Sequence, residues 1–147
     1  LPAPAPPRAA EPAAPAQAPA PPRAPRATRV LYVDDEEALV ELATPMLTPH
    51  GFGVSGFTDP DAALAAFLRD PAAFDIVVTD VTMPRRTGLD LARAMIAARA
   101  DLPIVLISGN LGPEAVAAAR ASGVREILPK PFTGAELARV LQKLSAR

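Results

Sequence analysis

Asp34, Asp35, Asp80, Ser108 and Lys130 each close or directly follow a short apolar run. Asp34 and Asp35 follow "RVLYV", Asp80 ends "FDIVVTD", Ser108 ends "PIVLIS" and Lys130 follows "EILP". Taken singly, each has an ordinary explanation. Aspartate and serine form turns, an acidic run opposes a helix dipole, and a loop lysine is solvated. Gathered at one place, three carboxylates repel, and one is driven to bind a proton unless a cation neutralises them. Hard oxygen donors that leave water positions open suit Mg²⁺. With Mg²⁺ bound, one carboxylate stays free to attack an electrophile, and a phosphoryl group is the natural one. Aspartate nucleophiles form acyl phosphates, and the group in transfer spreads its charge over three equatorial oxygens. Mg²⁺ would take one oxygen, the Lys130 ammonium a second and the Ser108 hydroxyl a third. On this reading Asp80 faces solvent to receive a phosphoryl group.

Such a gathering needs elements that bring five distant residues to one rim. Residues 29–33, 53–57, 74–79, 103–108 and 126–129 read as strands, the third and fourth almost continuously apolar, as in central strands covered on both faces. Helical spacing fills 36–47, 60–69, 88–99 and 113–122, and 134–145 closes the chain. Leu89, Ala92, Met95 and Ile96 form one apolar stripe; Leu137, Val140, Leu141 and Leu144 form another. Helix starts are marked by Thr87 before Gly88, Asp59-Pro60, Gly112-Pro113-Glu114 and the Thr133/Glu136 capping box. Pro45 sits inside the first helical pattern and predicts a kink or stop near Thr44. Five alternating β-α units imply a doubly wound parallel sheet, whose functional groups collect at the carboxyl ends of the strands. Four of the five strand ends carry the polar groups named above.

The ordered set "VDDEE" (33–37), "DVTMPRRTG" (80–88), "LISGN" (106–110) and "KPF" (130–132) resembles the receiver domain of two-component response regulators, over residues 29–147. The resemblance implies a flavodoxin-like α/β fold with five parallel strands in the order 2-1-3-4-5 and five helices. It implies that Asp80 is the phosphoacceptor, that Asp35 ligates Mg²⁺ directly and Asp34 mainly through water, and that the Thr82 carbonyl completes the protein's share. Ser108 would be the switch hydroxyl, Lys130 the partner of the phosphoryl oxygens, and the peptide before Pro131 cis, aiming the lysine inward. The donor would be a histidine kinase or a histidine phosphotransfer protein, with upstream kinase domains of the same parent chain as one source. The order "DLPIVLISG" and the proline-rich lead-in look most like the C-terminal receiver of a hybrid sensor kinase. Such a domain catalyses only its own phosphorylation and dephosphorylation. The pattern departs at Ile127, where many receivers carry an aromatic that swings inward, so weak coupling is expected at the face between the fourth helix and fifth strand.

Composition sets the remaining bounds. Residues 1–28 hold ten of the 19 prolines and eleven alanines, and read as a disordered or polyproline-like linker. The start at Leu1 suggests a piece of a longer protein. Residues 29–147 carry 15 acidic and 12 basic side chains, net −3, with no basic patch interleaved with aromatics, so nucleic acid is not an expected partner. There is no cysteine, and no apolar stretch reaches the ~18 residues that cross a bilayer, so the expected location is cytoplasmic, without membrane contact. Frequent Ala, Arg and Pro point to a GC-rich bacterial genome. His50, in "TPHGFG", reads as a loop residue. Two rivals remain at this point. An aspartyl-nucleophile phosphatase would want a second acid two residues after the nucleophile, where Thr82 stands. A pseudo-receiver would act as a phosphorylation-independent interaction module, against which the intact acidic pair, Asp80 and Lys130 argue.

Overall fold

The computed structural model describes residues 27–145. Its elements alternate strictly: β1 (Thr28–Val33), α1 (Glu37–Leu47), β2 (Phe52–Phe57), α2 (Pro60–Arg69), β3 (Ile76–Asp80), α3 (Gly88–Ala98), β4 (Ile104–Ser108), α4 (Pro113–Ala121), β5 (Glu126–Pro129) and α5 (Gly134–Ser145). All strand pairs are parallel, and the sheet order is β2-β1-β3-β4-β5. This is the flavodoxin-like doubly wound sheet expected from the sequence. The proposed linker, but for its last two residues, lies outside the described residues, and β1 begins at Thr28, one residue inside that segment.

Alternation along each strand divides the core in two. Leu31, Val33, Val77, Ile104 and Leu106 face one layer, where Ala63 and Phe67 of α2, Leu91, Ala92 and Met95 of α3, and Ala119 of α4 cover them. Val30, Tyr32, Ile76, Val78, Val105 and Ile107 face the other, under Ala43 and Leu47 of α1 and Leu137, Leu141 and Leu144 of α5. Every residue of β3 and β4 is buried, as both-face coverage requires. The α3 stripe is centred on Leu91, Ala92 and Met95, with Leu89 and Ile96 at its flanks.

The caps follow the sequence closely. Thr87 and Asp90 form a capping box on α3, Thr133 and Glu136 one on α5, and the Asp59 side chain accepts from the Asp61 amide to cap α2. The Pro45 expectation is corrected: α1 continues to Leu47. Pro45 lies in the last turn, where its missing N–H forfeits one bond to the Glu41 carbonyl. Ala43 and Leu47, both fully buried, hold that turn on the sheet, and the Thr48 amide closes on the Thr44 carbonyl. The chain then tightens into a 3₁₀ turn, Thr48–His50, and Gly51, at φ 93°, ends it.

Candidate functional site

The parallel sheet delivers the carboxyl ends of β1, β3, β4 and β5 to one rim, and the polar residues meet there. One carboxylate oxygen each from Asp34, Asp35 and Asp80 lies within 4.8 Å of the others. The Lys130 Nζ stands 3.0 Å from Asp80 Oδ1. Ser108 ends β4, next to β3 in the sheet, and its carbonyl accepts the Lys130 amide at 2.8 Å, which ties the loop after β5 to the same rim. The peptide between Lys130 and Pro131 is cis. The structure thus brings together Asp34, Asp35, Asp80, Ser108 and Lys130, as the sequence proposed.

One expectation is corrected by burial. Asp80 does not stand out into solvent; it is 6% exposed, grouped with Asp34 at 2% and with the exposed Asp35. The reason is the sheet itself, because β3 is central and its last residue is still paired with Ile107 of β4, one position beyond the end of its ladder with β1. Asp34 Oδ1 accepts the Glu36 amide at 2.9 Å, so this aspartate both turns the chain into α1 and lines the pocket. The Ser108 hydroxyl oxygen accepts the Asn110 amide at 3.2 Å, which leaves its proton free to donate.

The electrostatics match a site short of positive charge. Burial pushes the Asp34 carboxyl above the usual carboxylate range; the Glu36 amide opposes that shift, and the Asp80 charge adds to it. Burial lowers Lys130, but the hydrogen bond and charge of Asp80, helped by Asp34 and Glu36, raise it on balance. Tyr32, buried on β1 beneath the pocket, is pushed up to about 12 by desolvation first and then by the charges of Asp34 and Asp80. Three hard oxygen donors around one small space, two of them desolvated, fit a divalent cation such as Mg²⁺.

The β3–α3 loop is shaped by a close approach. The Gly88 amide donates to the Val81 carbonyl at 2.8 Å, and a Cβ at Gly88 would lie 2.2 Å from the Asp80 carbonyl oxygen. Glycine is therefore required where the chain folds back behind Asp80. Thr82 is exposed on that loop, while Met83 is buried in the core below it.

Comparison with known proteins decides the family. The family model of the response regulator receiver domain matches residues 30–142. The chain belongs to this family. As a receiver it is similar to the response regulator MprA of Mycobacterium leprae, 34% identical over 119 residues, covering 81% of this chain and 51% of that protein. It is 35% identical over 120 residues to the regulatory protein VirG of Agrobacterium tumefaciens, covering 80% of this chain and 44% of that one. Among solved structures, the chemotaxis protein CheY4 of Vibrio cholerae superposes with a TM-score of 0.75 at 29% identity, over 80% of this chain and 98% of that one. A receiver domain protein from Clostridium thermocellum reaches 0.77 at 23% identity, over 82% and 95% of the two chains, a likeness of fold. The receiver spans about half the length of the curated relatives it matches. Receiver domains are signalling modules that bind Mg²⁺ at an acidic pocket, and among the described residues Asp34, Asp35 and Asp80 form such a pocket.

Two features of the rim escaped the sequence reading. Tyr32 reads as a core residue of β1, and only the fold places its hydroxyl near two carboxylates. Arg85 and Arg86, given no role within "DVTMPRRTG", pair with Asp59 and Asp61 at the start of α2. The available signal was topological, since α2 and α3 pack side by side on one face and both start at the functional rim.

Proposed function

We propose that this receiver takes a phosphoryl group from a phosphohistidine onto Asp80. The observation that carries the reading is the Lys130 ammonium 3.0 Å from Asp80 Oδ1, within a cluster whose three carboxylates lie within 4.8 Å. An Asp80 carboxylate oxygen attacks phosphorus, the new O–P bond forms as the N–P bond breaks, and the departing imidazole keeps the electron pair and gains a proton. Lys130 orients the nucleophile beforehand and then neutralises one phosphoryl oxygen. Ser108, with its hydroxyl proton uncommitted, donates to another. Asp34, Asp35, Asp80 and the Thr82 carbonyl would hold Mg²⁺, which supplies Lewis-acid stabilisation of the charge on the transferred group. The acyl phosphate forms on the chain itself, so the domain is an acceptor that promotes its own phosphorylation and hydrolysis.

The donors this chemistry fits are a histidine kinase or a histidine phosphotransfer protein, kinase domains of a hybrid parent chain included. Such donors are charged from ATP, which supports a cytoplasmic setting. No helix among the described residues is long and apolar enough to cross a membrane. The test is intact-mass analysis after incubation with acetyl phosphate and Mg²⁺, beside Asp80→Asn. The expected result is one added phosphoryl group that requires Mg²⁺ and is absent from the variant. No adduct, together with no binding of beryllofluoride, would overturn the proposal.

A further inference from the structure

We infer that Arg85 and Arg86, latched onto Asp59 and Asp61, are positioning residues that hold the loop bearing Thr82 and thereby set the affinity of the acidic pocket for a divalent cation. The inference rests on the reading of that pocket given above. The loop runs from Val81 to Thr87, and its neck is fixed by backbone. The Val81 amide donates to Ile107 at 3.0 Å, the Gly88 amide closes on Val81 at 2.8 Å, and buried Met83 plugs the core. Past that neck, the side-chain bonds that tie the loop to another element, among the described residues, come from the two arginines. Arg85 Nη2 lies 2.5 Å from Asp59 Oδ1 and its Nε 3.5 Å from Asp61 Oδ2, while Arg86 Nε lies 2.9 Å from Asp61 Oδ1.

The anchors sit at the start of a helix and the reaching partner has a left-handed backbone, which is the arrangement of a latch. Asp59 caps α2, its Oδ1 also accepting the Asp61 amide at 2.9 Å, and Pro60 follows it as a buried first residue of the helix. Asp61 sits in the first helical turn, where a negative charge is favoured. Arg85 has φ 70°, a left-handed conformation that a residue with a Cβ adopts only when its surroundings hold it there. The Arg86 amide donates to the Pro84 carbonyl at 2.8 Å, which tightens the same turn. The hydrogen bond from Arg86, opposed by desolvation and aided by the charges of both arginines, holds the Asp61 carboxyl below its usual range. Thr82 lies three residues before Arg85, so slack at the latch passes directly to the peptide that would face the cation.

The decisive experiment uses the full chain and the double variant Arg85→Asn/Arg86→Gln. Asparagine tolerates the left-handed backbone, so the loop loses its ion pairs without gaining a glycine's freedom. The Mg²⁺ dissociation constant is read from amide shifts of residues 81–88 in NMR titrations. Removing two positive charges near an acidic pocket would, through the field alone, tighten Mg²⁺ binding. Loss of positioning would weaken it, so the two explanations predict opposite signs. We expect the constant to rise about fivefold, the scale of a small network of exposed ion pairs. The difference should close between about 0.1 M and about 1 M salt as the screening length shrinks from ~10 to ~3 Å. Arg85→Lys, which keeps the charge, should recover part of the affinity. Unchanged or tighter Mg²⁺ binding by the double variant would overturn the inference while leaving the pocket's assignment intact. A wild-type chain whose loop shifts do not respond to Mg²⁺ at all would overturn the assignment itself, and the latch with it.

Discussion

Asp34→Asn should stabilise the metal-free domain, although it removes a residue assigned to the functional pocket. Oxygens of Asp34 and Asp80 approach within 4.8 Å. At that separation two unit charges repel by about 3.5 kcal/mol at an effective dielectric of about 20. Lys130 offsets part of this, but it sits on Asp80, 3.0 Å from Oδ1, and at Asp34 the repulsion from Asp80 outweighs the attraction of Lys130. Desolvation of Asp34, 2% exposed, adds to the penalty. Asparagine keeps the oxygen that accepts the Glu36 amide and is nearly the same size, so the capping geometry survives. After the offset, a net gain of about 1–2 kcal/mol is expected, which for a domain of this size raises Tm by about 5 °C.

The assay is thermal unfolding by circular dichroism at low ionic strength, with EDTA or with Mg²⁺, across acidic to neutral pH. In EDTA the variant should melt above the wild type at neutral pH. The pH dependence has a definite sign. Asp34 binds its proton more tightly when folded, so its protonation stabilises the fold fully below the unfolded carboxylate value, and that contribution is lost as pH rises through the raised folded one. The advantage of the variant should therefore shrink as pH falls through that window. With Mg²⁺ the order should invert, because the cation at a hundred times its dissociation constant adds about 2.7 kcal/mol to the wild type and the variant lacks a carboxylate to hold it. A variant that melts below the wild type in EDTA at neutral pH would refute the claim that the pocket is held in electrostatic tension.

Three further outcomes follow from the same geometry. Gly88→Ala would push a Cβ to 2.2 Å from the Asp80 carbonyl oxygen and 3.0 Å from Val81 Cα, both backbone atoms. It should cost about 3 kcal/mol or more in urea unfolding and shift the loop amides; a loss below about 1 kcal/mol would show that the neck can open. Tyr32, raised to about 12 when folded, contributes roughly 3 kcal/mol that is fully present below pH 10 and lost as pH rises through about 12. Tyr32→Phe should flatten that part of the alkaline stability loss in EDTA, measured by the urea midpoint against pH. Ile127 is half-buried against the α3 and α4 side of the core and has no aromatic ring to swing. Amide shifts on the α4–β5 face should accordingly change little on phosphorylation, and large shifts there would contradict the weak coupling read from the sequence.

Why was the phosphoryl pocket legible from sequence when its supports were not? Asp34, Asp35, Asp80, Ser108 and Lys130 announce themselves because each sits at the end of an apolar run. In a parallel sheet every such end lies on the same rim, so one-dimensional position becomes three-dimensional proximity without knowledge of side-chain packing. Helix starts were equally local, since Thr87 with Asp90 and Thr133 with Glu136 need only their own turn. Burial was not local. Nothing in "VVTD" says that Asp80 is 6% exposed, because that depends on β1 and β4 flanking its strand. Pro45 misled for the same reason: the local rule loses to Leu47, whose full burial holds the last turn of α1 in place.

The pairing of Arg85 and Arg86 with Asp59 and Asp61 is the furthest case, spanning 24 to 26 residues with no periodicity to mark it. It exists because right-handed crossovers lay α2 beside α3, so the loop entering α3 meets the first turn of α2. The two helices meet with opposite needs. The start of α2 carries acids that suit its dipole, and the loop before α3 carries a turn that needs an external hold. Ion pairs satisfy both at once, three residues from Thr82 in the case of Arg85. If the latch sets cation affinity, exchange of Arg85 and Arg86 for neutral residues is a route by which the pocket could be tuned without touching any group that contacts the phosphoryl oxygens.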